Sequence, residues 1–479
     1  MSKESRRGRW KQIVLLVVIL SLLFCTCSSL AGNAGLLGWS LWNRWELTRA
    51  RERIGVLEPE VRRLHQVLLD NDIEIPLAPA DRQLMDTIER QVAVLRGLEP
   101  LQPVERALMT PDQLRERIRQ DFEENFSFQD ARDYTLTLAA FDFVDPELDL
   151  YDLWLRLYTE QIAGFYDTET KQIYVIADLG LMGQLERLTY AHEYTHALQD
   201  QHFDLEALWL RDDAEEVYDS EYLAAVQALV EGDAQLLERQ FMNTHYSPEE
   251  IVMLMREAMA INTTVLDQAP EIVRDALLFP YQFGLTFVQS LYEQGGWAAV
   301  DAAYADPPRS TEHILHPDRY RAGDEPQIVS LPPLTDTLGT GWRHVDGDIM
   351  GEFLIGRYLA QYIPEEDAET AAEGWGGDRY TVHYHEEDET LVLGWRIVWD
   401  TPADVEEFVD AYVSYAEARF AHSSGEHDGA QICWQGARDA ACLAWGVIES
   451  TITLAPSQPV ARLVLDALVA GTRGMEGAD

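Results

Sequence analysis

The chain has 479 residues and is strongly acidic, with 83 Asp and Glu against 37 Lys and Arg and a formal net charge of −46 at pH 7. A charge of this sign repels phosphate backbones and therefore argues against nucleic acid as a partner. Hydrophobic residues make up 47% of the sequence, so the chain can bury a core and has the length for two or three domains. Only three lysines occur, which suits a salty or extracellular surface and, equally, a GC-rich genome.

The N-terminus predicts a membrane anchor. Residues 12–43 carry no charged side chain and follow a basic tail at residues 1–11. The apolar run is followed by Trp39, Trp42 and Trp45. Positive charge, an apolar span of about 20 residues and then aromatic residues predict a single-pass anchor at residues 12–38. A signal peptide cleaved after Ser29-Leu30-Ala31 and lipidation at Cys25 are the alternatives, and all three place the bulk of the protein outside the cytoplasm.

Residues 39–80 are predicted to form a helical stalk and a linker. Apolar residues recur at heptad spacing from Leu47 to Leu68, with Pro59 among them. The spacing predicts a short coiled coil or, alternatively, an amphipathic helix that packs on the bilayer or on the next domain. The stretch from Asn71 to Pro79 has the composition of a linker.

Residues 81–345 are assigned to a core domain in which helical patterns dominate. One amphipathic helix is predicted at Arg82–Leu98, and Thr110-Pro111 begins another because Thr is a good N-cap and Pro is favoured at the first helical position. A strand at Lys171–Ile176 is followed by a loop and a helical pattern. The apolar positions of that helix are Leu185, Leu188, Ala191 and Leu198.

This helix carries the sequence His192-Glu193-Tyr194-Thr195-His196. Residues four apart lie on one helix face, so both imidazoles can bind a single Zn²⁺. Glu193 then lies beside the open coordination position, where a carboxylate can accept a proton from water. A His-Glu-x-x-His sequence is expected by chance on the order of 0.03 times in a chain of this length. The motif therefore predicts a metal site.

Two residues are candidates for the third metal ligand. His202 has the spacing used by metzincins, but that arrangement needs a helix-breaking glycine at the position of Gln199. Glu231 lies on a predicted helix at Glu221–Phe241 and has small neighbours that allow a second helix to approach. Those neighbours are Ala228, Gly232 and Ala234. We favour Glu231, since a carboxylate along a buried edge requires a cation; a solvated surface glutamate is the alternative.

Residues 346–479 are predicted to form a small α+β subdomain. The predicted elements are strands at Arg379–His385 and Thr390–Trp399, a helix from Thr401-Pro402 to about Phe420, strands at Gln431–Gln435 and Ala441–Leu454, and a helix at Gln458–Ala470. Strands followed by a helix, twice in succession, indicate helices packed on an antiparallel sheet.

Cys433 and Cys442 are the only cysteines outside the predicted anchor. They lie on either side of a predicted turn, in a strand–turn–strand that can bring the two Cα atoms within disulfide range. An oxidising exterior would preserve the bond. The sequence therefore predicts a disulfide, with two buried thiols as the alternative.

Several segments resemble a largely uncharacterised family of prokaryotic surface metallopeptidases of the gluzincin type. They are Ala163–Ile176, Ala191–Leu205, Ala228–Ala234, Pro307–Pro317 and Gly374–Arg379. The resemblance spans about residues 160–380. It implies a zincin-like core with one zinc ion at His192, His196 and Glu231, and Glu193 as the general base.

The sequence thus predicts an α+β protein with an N-terminal transmembrane helix, a helix-rich zincin-like core and a C-terminal α+β subdomain. We expect a membrane-anchored, extracytoplasmic zinc endopeptidase that acts on peptides or proteins. The alternative is a non-proteolytic cell-envelope scaffold or binding protein on the same fold. Glu193 favours the enzyme, because a scaffold has no use for a general base.

Two further groups of residues have the chemistry for a role at such a site. Zinc peptidases stabilise the oxyanion that forms when water attacks a carbonyl, and the candidates for this role are Tyr281, His313, His316 and Arg379. His383 and His385 alternate on one face of a predicted strand, where they are either a second metal site or solvated side chains.

Overall fold

The computed structural model describes residues 79–109, 111–160, 164–176, 182–209, 220–420 and 425–475. The basic tail, the anchor and nearly all of the stalk predicted for residues 1–80 lie outside these ranges. Within them, no helix is long and apolar enough to cross a membrane. The predicted fold class is therefore corrected. The protein is α+β, but the transmembrane helix included in that prediction has no counterpart in the part of the chain that the structure describes.

Helices dominate the first part of the described chain. Its elements are α1 (Pro79–Arg96), β1 (Glu105–Met109), α2 (Pro111–Asn125), α3 (Phe128–Ala140), α4 (Leu150–Glu160), β2 (Gly164–Asp167), β3 (Gln172–Ile176), α5 (Gln184–Phe203), α6 (Leu205–Trp209), α7 (Ser220–His245), α8 (Pro248–Ala258), α9 (Thr264–Gln268), α10 (Glu271–Gly295), α11 (Trp297–Ala305), α12 (Thr311–Leu315), α13 (Pro317–Ala322) and α14 (Thr335–Leu338). The predicted helices of this region are present, and the predicted strand corresponds to β3.

A three-stranded sheet lies beside the motif helix, with strand order β1-β3-β2. Strand β2 pairs with β3 in an antiparallel hairpin, whereas β1 pairs with β3 in parallel. Strand β1 was not predicted from the sequence. Its partner strand β3 is more than sixty residues away, and two parallel strands are not joined by a tight turn that the sequence would reveal. Strand β2 is thus an edge strand, and its free edge faces α5.

Helix α5 passes through the centre of the core. Every residue from Leu188 to Asp200 is buried, on all faces of the helix. It packs against α1 and α7 through an apolar cluster that includes Met85, Leu198 and Phe241. A helix buried on all sides carries its polar side chains into a dry interior, where each of them needs a partner.

Helix α7 crosses α10 at very close range. A Cβ atom on Gly232 would lie 2.1 Å from the carbonyl oxygen of Gly284, and a Cβ on Gly284 would lie 2.2 Å from that of Ala228. Only glycine therefore fits at these two positions. The small residues beside Glu231 thus allow another helix to approach α7 closely. That helix is α10 and not the motif helix α5.

The second part of the described chain forms a seven-stranded sheet with helices on both faces. Its elements are β4 (Trp342–Asp346), α15 (Gly351–Ala360), α16 (Glu365–Ala372), β5 (Trp375–His385), β6 (Thr390–Trp399), α17 (Pro402–Arg419), β7 (Glu426–His427), β8 (Gln431–Gln435), β9 (Ala440–Trp445), β10 (Glu449–Ala455) and α18 (Gln458–Met475). The strand order is β4-β5-β6-β10-β9-β8-β7, with all neighbours antiparallel. The predicted strand at 441–454 is a hairpin of two strands.

Alternate residues of this sheet enter two different cores. Ile432 and Trp434 pack with α15, α16 and α17 on one face, whereas Cys433 and Cys442 pack under α18 on the other. Cys433 and Cys442 are directly opposite in the β8–β9 ladder, with their Cα atoms 4.1 Å apart, and they form the predicted disulfide.

The Gly374–Arg379 segment has a structural role at the start of β5. The buried carboxylate of Asp378 accepts hydrogen bonds from the backbone N–H groups of Met350 and Gly351 at the N-terminus of α15. It also accepts hydrogen bonds from the indole N–H groups of Trp375 and Trp395. One carboxylate thus joins a helix N-terminus to two strands.

Candidate metal centre

Helices α5 and α7 bring His192, His196 and Glu231 together. The Nε2 atoms of the two histidines lie 3.0 Å apart. Glu231 Oε2 lies 3.3 Å from His192 Nε2, and its Oε1 lies 3.6 Å from His196 Nε2. All three side chains are buried, and together they form a group that can hold a metal ion.

These distances suit a tetrahedral ion. With bond lengths of about 2.0–2.1 Å, two ligand atoms of a tetrahedral zinc ion are about 3.3 Å apart. The three separations at this site, 3.0, 3.3 and 3.6 Å, lie around that value. Two imidazole nitrogens and one carboxylate oxygen are also a donor set that zinc accepts. The residues present therefore fit a zinc ion.

His202, the alternative third ligand, does not join this group. Its Nε2 atom pairs with the carbonyl oxygen of Glu99 at 2.8 Å. Helix α5 continues without a break through Gln199 to Phe203, so His202 is not turned back toward His192. The structure thus brings together Glu231, and not His202, with the two histidines.

Gln199 fixes the orientation of His196. Its amide nitrogen donates to the carbonyl oxygen of Val230 on α7 at 3.0 Å, which turns its Oε1 toward His196 Nδ1 at 2.8 Å. Since this oxygen accepts a hydrogen bond, His196 carries its proton on Nδ1 and leaves the Nε2 lone pair free. Gln199, the residue that argued against a metzincin site, therefore orients the His196 ring in the way that a metal ligand at Nε2 would need.

Glu238 has a similar relation to His192. Its Oε2 lies 3.3 Å from His192 Nδ1, and the side chain is fully buried. A carboxylate on the outer nitrogen of a histidine orients the ring and raises the basicity of the inner nitrogen. Glu238 was not among the residues predicted from the sequence, although it follows Glu231 by seven residues and therefore lies on the same face of α7.

The titration of these groups follows from burial and mutual charge. Burial by itself would lower the pKa of His192, but Glu231 and Glu238 outweigh it and raise that pKa well above its usual value. Burial and the charge of His192 lower the pKa of His196 to about 3. Burial raises the pKa of Glu231, although His192 acts in the opposite direction. The two carboxylates thus favour the charged form of His192, and the charge of His192 disfavours the charged form of His196.

Glu193 lies beside the group with one oxygen bound and one free. Its Oε2 accepts the backbone N–H of Tyr166 on β2 at 2.9 Å. Its Oε1 is buried and has no hydrogen-bond partner among the described residues. Burial raises the pKa of Glu193 to about 8. A carboxylate with a pKa near neutrality and an unoccupied oxygen is suited to accept a proton.

Tyr281 is the one predicted oxyanion candidate near this cluster. It lies on α10 one turn before Gly284, at the crossing with the Glu231 segment of α7. Burial raises its pKa, and the charges of Glu231 and Glu193 raise it further. Its hydroxyl is buried and has no hydrogen-bond partner in the described residues. It is therefore a free donor close to both carboxylates.

The other predicted side chains make structural contacts elsewhere. His313 pairs with the backbone of Arg309 and Asp324, His316 with Glu352, and Arg379 with the carbonyl oxygen of Gly347. His383 pairs with Thr381 and His385 with Asp388. Neither His383 nor His385 belongs to a metal-capable group in the described part of the chain.

A second acidic group consists of Glu312, Asp324 and Asp400. The guanidinium of Arg319 lies among them, with one nitrogen 2.7 Å from Glu312 and 3.5 Å from Asp324 and in contact with Asp400. Burial raises the pKa of Glu312 to about 9. This group therefore holds a cation of its own.

The chain is similar over a limited region to a protein family described as a domain of unknown function, DUF8575, which matches residues 338–464. This match covers all seven strands of the larger sheet and none of the candidate metal-centre residues. No curated protein and no solved structure matches the chain.

Proposed function

We propose that this protein is a zinc-dependent peptidase, with His192, His196 and Glu231 as the ligands of one zinc ion. The observation that carries the proposal is the convergence of these three buried side chains at the separations of a tetrahedral site. The ion-pair partners of Glu231 and Glu238 in the described residues are the two histidines, whereas the carboxylates of the other group have Arg319 as their partner. When bound, zinc supplies Lewis acidity, which acidifies water and polarises a carbonyl oxygen.

Glu193 is the general base in this proposal. The Tyr166 N–H holds one carboxylate oxygen, so the other is directed and available to take a proton from water and return it to the leaving amine. Burial raises the pKa of Glu193 to about 8, closer to neutral pH than that of an exposed glutamate, and a pKa near the working pH suits a group that both accepts and donates a proton. A scaffold protein would gain nothing from burying such a group.

Tyr281 is the proposed donor to the oxyanion. A buried hydroxyl without a partner is costly, and it finds a partner when the carbonyl oxygen of a substrate becomes negatively charged. Of the four candidates, Tyr281 is the one that the structure leaves unpaired beside Glu193 and Glu231.

The proposed substrates are peptides or proteins outside the cytoplasm. The Cys433–Cys442 disulfide supports that location, because such bonds persist in oxidising compartments. The net charge of −46 supports a protein substrate over a nucleic acid.

The test combines metal analysis of the purified protein with cleavage of an unbiased peptide library. The wild type should hold one zinc per chain and cleave peptides. Glu193→Gln should keep the zinc and lose activity by roughly 10²–10⁴-fold, because only the base is removed. Glu206→Gln, an exposed position on the neighbouring helix α6, is the control and should change neither. Zinc without cleavage of any peptide would favour the scaffold, and full activity in Glu193→Gln would contradict the mechanism.

Tyr281→Phe tests the oxyanion role separately. We expect kcat to fall by roughly 10²–10³-fold with unchanged zinc content. Stability should be maintained, because the hydroxyl that is removed has no partner in the described residues. A destabilised variant with normal kcat would show that the hydroxyl is structural.

A further inference from the structure

Asp200 joins the motif helix to the β2–β3 hairpin. It lies at the end of α5, and its side chain is almost completely buried. One of its oxygens, Oδ2, accepts the hydroxyl of Tyr166 at 2.7 Å and lies 2.7 Å from the Nζ atom of Lys171. Its other oxygen accepts the backbone N–H of Leu205, at the start of α6. Three elements therefore meet at one carboxylate.

Tyr166 is bound to α5 at both of its ends. Its backbone N–H donates to Glu193, and its side-chain hydroxyl donates to Asp200. Glu193 and Asp200 are seven residues apart, so they lie on the same face of α5 about 10 Å from each other along the axis. The tyrosine ring spans this interval and is itself buried. The Tyr166–Asp200 bond thus determines where the Tyr166 N–H lies relative to Glu193.

Lys171 is unusual in both composition and backbone. It is the only lysine in residues 12–479. Its φ of 57° lies in the left-handed region, where a side chain is disfavoured and glycine or asparagine is common. A lysine in this strained turn position places its ammonium on the same Asp200 oxygen that accepts the tyrosine hydroxyl. The strain is consistent with a selected role for the side chain.

We propose that Asp200, Tyr166 and Lys171 are positioning residues for the general base: they hold β2 against α5 so that the Tyr166 N–H binds one carboxylate oxygen of Glu193 and thereby sets the position of the other oxygen. The proposal rests on the proposed function for its catalytic part. The polar side-chain contacts of these three residues are with one another and with Leu205, and the contact with the site is the Tyr166 N–H on Glu193. They therefore act through the placement of Glu193.

The test uses Lys171→Met, Lys171→Arg and Tyr166→Phe in the otherwise intact protein. Lys171→Met and Tyr166→Phe should lower kcat by on the order of tenfold, since small displacements of a catalytic group have effects of this size or larger. KM should stay within about twofold, because the base acts in the transition state. Lys171→Arg keeps the positive charge and should recover most of kcat. Zinc content should be unchanged in all three.

Hydrogen exchange of peptides covering residues 164–176 provides a readout that does not depend on activity. Lys171→Met and Tyr166→Phe should accelerate exchange in this segment, because the hairpin loses a tether to α5. The matched control is Arg187→Met at the other end of α5, where Arg187 forms an ion pair of 3.0 Å with Glu250. It should leave both kcat and exchange in β2–β3 as in the wild type.

Two results would overturn the proposal: wild-type kcat and exchange in Lys171→Met, or a Lys171→Arg variant as impaired as Lys171→Met. If the wild type cleaves no peptide, the proposed function fails, and hydrogen exchange alone decides whether this triad holds the hairpin. Faster exchange then supports the tether, and unchanged exchange refutes it.

Discussion

Two groups of side chains in the described part of the chain are compact enough to hold a metal ion, and they differ in what neutralises their carboxylates. Glu312, Asp324 and Asp400 surround the guanidinium of Arg319. Glu231 and Glu238 instead face two imidazoles, which are neutral ligands once they lose their protons. Clustered carboxylates therefore do not indicate a metal site by themselves. The proposed site is distinguished by its two nitrogen donors and by having histidines, and not an arginine, as the partners of its carboxylates.

The same distinction, between a carboxylate with an arginine partner and one without, applies to two side chains of α7. Asp233 is two residues after Glu231 and is fully buried, but Arg96 binds both of its oxygens, at 2.8 and 3.0 Å, and Tyr304 donates to it as well. Glu231 has only the histidines. Two positions within one turn of α7 thus carry a carboxylate paired with an arginine and a carboxylate that faces two histidines.

The largest expected effect is a difference in zinc binding between a mutation in the histidine-containing group and the matched mutation in the group around Arg319. Glu231→Gln should weaken zinc binding by more than about a hundredfold, since even changes in residues that only support the ligands cost 10–100-fold. Glu312→Gln, the matched change in the group that contains Arg319, should retain one zinc per chain. Metal analysis after dialysis against a graded series of chelator concentrations measures both. Equal zinc loss in the two variants would contradict the distinction.

Removal of the disulfide distinguishes stability from metal binding. Replacing Cys433 and Cys442 together by alanine should lower the free energy of unfolding by about 2–3 kcal/mol, the value for a loop of this length. Zinc content should not change, because the bond lies under α18 in the seven-stranded sheet. Denaturant unfolding and metal analysis on the same preparation provide the check. Loss of zinc from the variant while it is still folded would show that the sheet and the metal centre are coupled.

Glu238→Gln should weaken zinc binding by about 10–100-fold without removing a ligand. The mutation takes the negative charge from the outer nitrogen of His192. The control is Glu352→Gln, because Glu352 contacts His316 at 2.7 Å in the region of the second acidic group. Competition with a chromogenic chelator gives both affinities. Unchanged affinity in Glu238→Gln would mean that His192 needs no support from this carboxylate.

The smallest expected effect comes from removing the internal cation of the second group. Arg319→Met should destabilise the protein by about 1–2 kcal/mol, a modest value because Arg319 and two of its partners are partly exposed. Three carboxyl groups without a cation form an all-oxygen site, which suits Ca²⁺. Added Ca²⁺ should therefore raise the melting temperature of the variant and not that of the wild type. The same response in both proteins would refute the idea that the guanidinium occupies the place of a metal.

Helical periodicity was sufficient to predict that the three proposed ligands come together. His192 and His196 share a face by their spacing, and the pattern around Glu231 placed it on a buried helix. Glu238 was predictable by the same logic, since it lies seven residues further on. By contrast, no sequence pattern could predict that the backbone N–H of Tyr166 binds Glu193, because every residue except proline has such a group and only the fold selects this one.

Pairings distant in sequence account for the remaining differences. Strand β1, with the sequence Glu-Arg-Ala-Leu-Met, has helix-forming residues, and its strand conformation depends on β3. The hairpin elements β5–β6 and the capped helix α17 were predictable, because each carries its signal within a few residues. Thr401, for example, forms a capping box with Asp404.

The crossing of α7 and α10 determines how this protein should respond to saturation mutagenesis. Positions 232 and 284 should accept no substitution, since even a methyl group would overlap the opposing backbone. Neither glycine has a side chain to contribute to chemistry, yet both should rank with the histidines in a selection for activity. A map of intolerant positions would thus contain two kinds of essential site. Measuring the amount of folded protein for each variant would separate glycines that keep the helices in contact from residues that act on the substrate.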